Sequence, residues 1–216
     1  MTRPWKPSVT VAAIVSRTLM GVRQFLLVEE ETPEGLRLNN PAGHLDPEES
    51  PERGVVREVL EETTCTFTPT CLVGTYLSRF QRAGKGSNPG EDITYVRFAF
   101  GGTVGEPNPA LTLDHGIQRT LWVTLAELRA SVSRHRSPLV LRCVEDFVAG
   151  RAYPLDSITT DASVYSGTTD ASVYDKTTDA SVYSGTTDAS VYDKTTDASV
   201  YVGSTDASVK APTQLR

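Results

Sequence analysis

From Thr159 to the C-terminus the chain repeats a nine-residue unit, starting at Thr159, Thr168, Thr177, Thr186, Thr195 and Ser204. The heart of each unit is Thr-Asp-Ala-Ser-Val, usually followed by Tyr. One Val and one Tyr per unit cannot bury enough apolar area to offset the entropy of ordering the backbone. The repeat therefore confines a packed core to what precedes it. We expect a folded domain over residues 1–158 and a disordered repeat tail over 159–216, with a partner-binding segment as the livelier reading of the tail. An odd period flips the inside/outside alternation of a strand at every unit, which disfavours a small solenoid. The recurring Asp opposes self-association.

The formal net charge is −6. Eight aspartates against Lys176, Lys194, Lys210 and Arg216 put −4 of it in the tail and leave about −2 on the domain. No broad basic surface for a nucleic-acid polymer is expected. An anionic small molecule would have to be met by metal ions or by local Arg and Lys. Cys65, Cys71 and Cys143 are an odd set without metal-type spacing, as in a reducing cytoplasm rather than a disulfide framework. Polar residues interrupt every apolar run early, so no membrane span is expected. The sequence leaves the oligomeric state open.

The domain reads as alternating short strands with two or three helices, an α/β pattern. Val9 to Val15 is apolar and β-branched, a central strand, and Phe25 to Val28 is a second. Leu36 and Leu38 alternate with polar residues ahead of Asn40-Pro41-Ala42-Gly43. Strands follow at Thr70 to Leu77, Thr94 to Phe100 and Leu121 to Val123. Ser50-Pro51 is a helix start, a hydroxyl cap followed by proline at the first helical position. Val55, Val56, Val59 and Leu60 give that helix an apolar face. Short helices are expected at Ala126 to Ser131 and from Ser137-Pro138 to Gly150. Gln81 to Asp92 is polar and Gly-rich, and reads as a mobile loop.

On the capped helix, Glu58, Glu61 and Glu62 stand at i, i+3 and i+4, on a face opposite the apolar stripe. Three like charges on neighbouring turns repel, and a bound divalent cation with oxygen ligands is the simplest compensation. Mg²⁺ suits such a site, since it takes one or two carboxylates together with waters and substrate phosphates. An isolated Glu-x-x-Glu-Glu is usually a solvated face. The wider spacing changes that weight: Gly43, five residues, Glu49, seven residues, then Arg57-Glu58-Val59-x-Glu61-Glu62.

That pattern resembles the signature of the Nudix hydrolases. The resemblance implies an α/β/α sandwich with a mixed sheet. It also implies Mg²⁺ or Mn²⁺ held by Glu58, Glu61, Glu62 and the Gly43 carbonyl against the diphosphate of a small-molecule substrate. It gives Arg57 the task of pairing with Glu49 and orienting the neighbouring carboxylates. One position departs from the family, which has glycine where this chain has Thr64. A left-handed residue is common there, so strain of about 1 kcal/mol is expected at a threonine. Flanking segments, among them Pro41-Ala42-Gly43-His44-Leu45, Arg136-Ser137-Pro138-Leu139-Val140 and Gly150-Arg151-x-Tyr153-Pro154-Leu155, resemble one bacterial phosphatase branch of the family. They imply hydrolysis of hydroxymethylpyrimidine pyrophosphate, of thiamine pyrophosphate and of nucleoside di- and triphosphates.

The general base is a box glutamate or an acid from elsewhere, with Glu91, Asp92 and Asp114 as the loop candidates. His44 and Lys6 are candidate substrate contacts. Arg79, Arg82, Lys85 and Arg97 are each more readily surface cations than phosphate contacts, and Arg79 is the one assigned to substrate. Two other functions fit the same residues. One is a catalytically idle Nudix module that binds a nucleotide or protein and uses the tail for partner interaction. The other is a housecleaning hydrolase for modified nucleoside triphosphates. Retention of the whole Glu set argues against the idle module.

Overall fold

The computed structural model describes residues 5–85 and 88–165, with the side chains of 82–89 outside that description. The expected disordered tail lies, from residue 166 on, outside the described residues.

Strands β1 (Ser8–Leu19) and β2 (Val22–Thr32) form an antiparallel hairpin. Met20 and Gly21 turn it with φ of 50° and 79°, the backbone that two-residue hairpins require. Both strands outrun the expected Val9–Val15 and Phe25–Val28. Their outer halves are polar, and there cross-strand hydrogen bonds such as Arg17 Nε to Gln24 Oε1 (3.0 Å) carry the ladder beyond the apolar run. β3 (Gly35–Asn39) lies antiparallel to β2, and β4 (Ala42–His44) antiparallel to β1. β5 (Phe67–Lys85) and β6 (Asn88–Val104) pair along a long hairpin, and β6 runs parallel to β1. β7 (Ile117–Thr124) closes on β2. The sheet is therefore mixed, in the order β3-β2-β1-β6-β5, with β4 on β1 and β7 on β2.

Three helices flank it: α1 (Pro51–Thr63), α2 (Leu125–Ala130) and α3 (Leu139–Val148). Ser50 caps α1 by accepting from the Arg53 N–H, with Pro51 first in the helix. Val55 and Val59 of α1 are fully buried. Leu128 of α2 and Val140, Cys143 and Val144 of α3 pack with Ile14, Phe25, Leu27, Val73 and Ala99 of the sheet. The expected α/β/α layering is what the chain adopts. No helix among the described residues is long and apolar enough to cross a membrane.

Two expectations need correction. The described part of Gln81 to Asp92 is strand and not loop, because the ladder continues through Gln81↔Asp92, Arg82↔Glu91 and Ala83↔Gly90. Arg79 grips Asp92 through two bonds of 2.7 and 2.6 Å, which helps hold a ribbon whose polarity suggested a coil. Nor do the glutamates of α1 all stand opposite its apolar stripe. Glu58 and Glu62 are each only 8% exposed. They flank Val55 and Val59 on the side turned toward β4, and Glu61 alone of the three faces outward.

The fold reaches beyond Ile158. A 3₁₀ turn at Ala162–Tyr165 places the first repeat's tyrosine ring 5.2 Å from the Arg53 guanidinium, near the start of α1.

Thr64 ends α1 in the left-handed region, at φ 58° and ψ 12°. A Cβ there costs about 1–2 kcal/mol. Glycine removes this strain but adds about 0.5–1 kcal/mol of unfolded-chain entropy. Thr64→Gly is therefore expected to stabilise the domain by about 0.5 kcal/mol, raising Tm by about 1–2 °C in calorimetry. A lower Tm would mean that the buried threonine's packing outweighs its backbone strain.

Candidate active site

The site is built where β4 meets α1. Pro41 bonds through its carbonyl to the Ala13 N–H (2.8 Å), and Gly43 pairs with Val11, so the segment before α1 is fixed to the central strand. Glu62 Oε2 then accepts the Ala42 N–H at 2.8 Å. The Glu58 carboxylate lies against Gly43: a Cβ built there would sit 2.1 Å from Glu58 Oε1. Glycine is thus needed for the close approach of backbone and carboxylate. Gly43→Ala is expected to fold, because the atoms in the way are the far end of a flexible side chain. The Glu58 carboxylate must move, and metal-dependent hydrolysis is expected to fall by about a hundredfold with Tm nearly unchanged. Parallel melting curves and turnover assays check both halves.

Arg57 sits among the acids. Its Nε and Nη2 hold Glu49 bidentately at 3.1 and 2.7 Å, and Nη1 reaches Glu58 at 2.8 Å and Glu61 at 3.0 Å. Nη2 also donates to the His44 carbonyl at 2.9 Å. One guanidinium thereby ties the loop before α1 to two turns of the helix, a geometry suited to its planar fork. Burial works against its charge, but the hydrogen bond to Glu49 and the charges of Glu58 and Glu49 outweigh this and hold it protonated. Gly54 gives Glu49 its room, since a Cβ there would fall 2.8 Å from Glu49 Oε1.

Burial dominates the carboxylates. It pushes Glu62 up to about 9 despite the Ala42 N–H, with Glu58, Glu30 and Asp114 adding repulsion. It pushes Glu58 up to about 7 against the pull of Arg57. Glu61 is raised for the same first reason, with Asp114 and Asp46 adding to it. Two buried carboxylates and a backbone close beside them are hard oxygen donors, and they fit Mg²⁺ or Mn²⁺. Among the described residues no group of three His, Cys, Asp or Glu side chains is arranged to hold a metal ion by itself. Mg²⁺ does not need one, because waters and substrate phosphates complete its shell.

The remaining candidates separate. His44 is exposed on β4, its ring 6.1 Å from that of Tyr95. Lys6 is exposed just ahead of β1. Arg79 is committed to Asp92, so neither residue meets the acidic helix with a free charge. Asp114 is the loop acid brought to the site: its N–H donates to the Glu61 carbonyl at 2.9 Å. Arg82 and Lys85 lie outside the described side chains. Arg97 is no surface cation, being 8% exposed at the middle of β6. It lies on β6, a strand paired on both edges by β1 and β5.

Comparison with known proteins agrees with this geometry. The NUDIX domain profile matches residues 6–143. Phosphatase NudJ of Escherichia coli strain K12 is 31% identical over 154 residues, covering 71% of this chain and 92% of that protein. The match to Phosphatase NudJ of Shigella flexneri has the same extent. A solved NUDIX hydrolase from Nitrosomonas europaea is 44% identical with a TM-score of 0.62, covering 72% of this chain and 98% of its own. A second NUDIX hydrolase structure from that organism, 16% identical with a TM-score of 0.51, covers 70% of this chain and 77% of its own and shares the fold. The chain belongs to the Nudix hydrolases, enzymes that act on phosphate anhydrides.

Proposed function

We propose that the chain is a Mg²⁺-dependent pyrophosphohydrolase, with Mn²⁺ as a substitute, acting on hydroxymethylpyrimidine pyrophosphate, thiamine pyrophosphate and nucleoside di- and triphosphates. One observation carries the reading: Glu58 and Glu62 are buried side by side against the Ala42-Gly43 backbone, at a cost in desolvation that a divalent cation would repay. Nudix hydrolases generally use such metals and bind small-molecule substrates.

In this reading Glu58 and Glu62 hold the cation, Glu61 assists from the rim, and the Gly43 carbonyl completes the protein's share. Such a cation, when bound, would supply charge neutralisation at the diphosphate and Lewis-acid activation of water. Arg57 is a positioning residue: bound to Glu49, it fixes the Glu58 and Glu61 carboxylates. The base that takes a proton from the attacking water is a box glutamate or Asp114, whose charge reaches Glu61 and Glu62. His44 and Lys6 are proposed at the substrate's periphery. With Arg79 satisfied by Asp92, a substrate role for it would require opening that pair. Three free thiols support placement in a reducing cytoplasm.

The test is phosphate and pyrophosphate release from this substrate panel, with and without Mg²⁺, by the full chain and by a chain ending at Ile158. Release that requires the metal and survives truncation supports the proposal. No release from any diphosphate would favour the idle module, with the repeat tail as its interaction element.

A further inference from the structure

The turn between β1 and β2 is made from an unusual residue. Met20 and Gly21 both have positive φ, a backbone that such turns normally give to Asn, Asp or Gly. A methionine there carries strain that its packing does not offset, because Met20 is 95% exposed. Leu19 and Val22, which flank the turn, are 50 and 48% exposed. A Cβ placed on Gly21 would meet nothing within 4 Å. The tip is thus an apolar point standing clear of the domain, held in a conformation that costs stability.

Two arginines ring the point. They are the only charged residues from Ser8 to Val28. The Arg17 guanidinium lies 4.2 Å from the centre of the Trp122 ring, and that of Arg23 lies 5.4 and 5.1 Å from those of Phe25 and Phe147. Arg23 Nη2 donates to Ser16 Oγ at 3.3 Å. Among the described residues neither arginine pairs with a carboxylate, unlike Arg57, Arg79, Arg119 and Arg134. Aromatic and hydroxyl partners hold the guanidiniums in place without cancelling their charge.

Size and charge decide what fits. Three side chains at a two-residue turn fall far short of the roughly 1,000 Å² that a specific protein interface buries. They do suit insertion into the boundary between headgroups and acyl chains, which needs only a shallow apolar element. The cationic collar fits an anionic surface, because arginines close to such a surface gain from its negative potential. The chain's net charge is −6, but charges are screened beyond about 8 Å at physiological salt, so a surface at the tip meets Arg17 and Arg23 rather than distant acids.

We infer that the β1–β2 turn docks the domain on an anionic lipid surface: Leu19, Met20 and Val22 enter it, and Arg17 and Arg23 meet its phosphates. The contact is peripheral and spans nothing. Along β1, Met20 stands nine residues from Val11, the partner of Gly43, or about 30 Å of extended chain. Docking at one end of the strand therefore leaves the carboxylate site at the other end open. The inference stands independently of what that site hydrolyses.

Cosedimentation of the full chain with vesicles tests this. One set of vesicles holds equal parts of phosphatidylcholine and phosphatidylglycerol, and the other phosphatidylcholine alone. The wild type is expected to bind the mixed vesicles at least tenfold more tightly than the neutral ones, and to lose most of that difference in high salt. Met20→Asn suits the turn and removes the apolar point, so it should keep or raise Tm and bind at least tenfold more weakly. Arg23→Gln should weaken binding to the mixed vesicles about fivefold and leave the weak binding to neutral ones unchanged. It also serves as the comparison should Met20→Asn fail to fold. Absence of wild-type binding to the mixed vesicles, or binding that neither variant weakens, overturns the inference. So does sedimentation velocity without vesicles in which the wild type dimerises and Met20→Asn does not, which would give the turn to a second copy of the chain.

Discussion

Replacing Glu62 with glutamine is expected to lower metal-dependent turnover by about a thousandfold or more while leaving the fold intact. The two halves of that expectation have separate causes. Glutamine keeps an oxygen for the Ala42 N–H, the one hydrogen bond that pins this side chain to β4. Burial already pushes the wild-type carboxyl up to about 9, so at neutral pH the metal-free protein holds it protonated and the substitution removes no charge. What glutamine cannot do is become anionic when a cation arrives. Thermal melts of metal-free Glu62→Gln and wild type should coincide within about 2 °C at pH 7. Titration with Mg²⁺ should then raise the wild-type Tm alone. Near wild-type hydrolysis by this variant would remove Glu62 from the site.

The second large effect is on pH dependence. With Glu58 at about 7 and Glu62 at about 9 in the folded, metal-free protein, both bind protons more tightly than their ordinary value of 4.5. Between pH 5 and 9 the native state therefore holds more protons than the unfolded chain, and stability falls as pH rises. Stability is fullest below about pH 4.5 with respect to these two groups and is lost as pH climbs through 7 and then 9. For Glu58 alone the loss is on the order of 3 kcal/mol. Mg²⁺ should reverse the trend, because binding expels those protons and gains affinity as pH rises. Urea unfolding midpoints in chelator should decline from pH 5 to pH 9, and the gap opened by Mg²⁺ should widen over the same interval. A flat profile in chelator would show that the carboxylates are not desolvated.

How much of this could be read from residues alone depends on what each residue answers to. Ser50-Pro51 is a local signal from which the capped helix follows, and the Arg57–Glu49 pair is what the family resemblance of the Gly43 to Glu62 spacing implied. The middles of β1, β2 and β6 were legible because apolar runs mark buried strands. Their ends were not, since Arg17, Gln24, Arg79 and Asp92 extend ladders through side-chain bonds that hydrophobicity does not record. The same limit turned the ribbon beyond Gln81 into an apparent loop. Arg97 and Asn40 were hidden for a different reason. Their burial depends on which distant segments pack over them, a property of the whole fold. Glu58 and Glu62 combine both cases: their spacing was plain, but their burial against β4 depends on the β1–β4 pairing that carries Gly43 beneath the helix.

The parallel pairing of β1 with β6 has a consequence for how the molecule is made. Ser8 meets Tyr95 and Val15 meets Gly102, so the central strand waits through most of the domain's synthesis for its β6 neighbour. Contacts of such long sequence separation form late and slow the search for the native state. Until then the stretch Val11 to Val15 has only the short β4 beside it, along Val11 and Ala12. A ribosome paused before residue 95 would present that apolar edge to other nascent chains, and chaperone demand should be greatest in that interval.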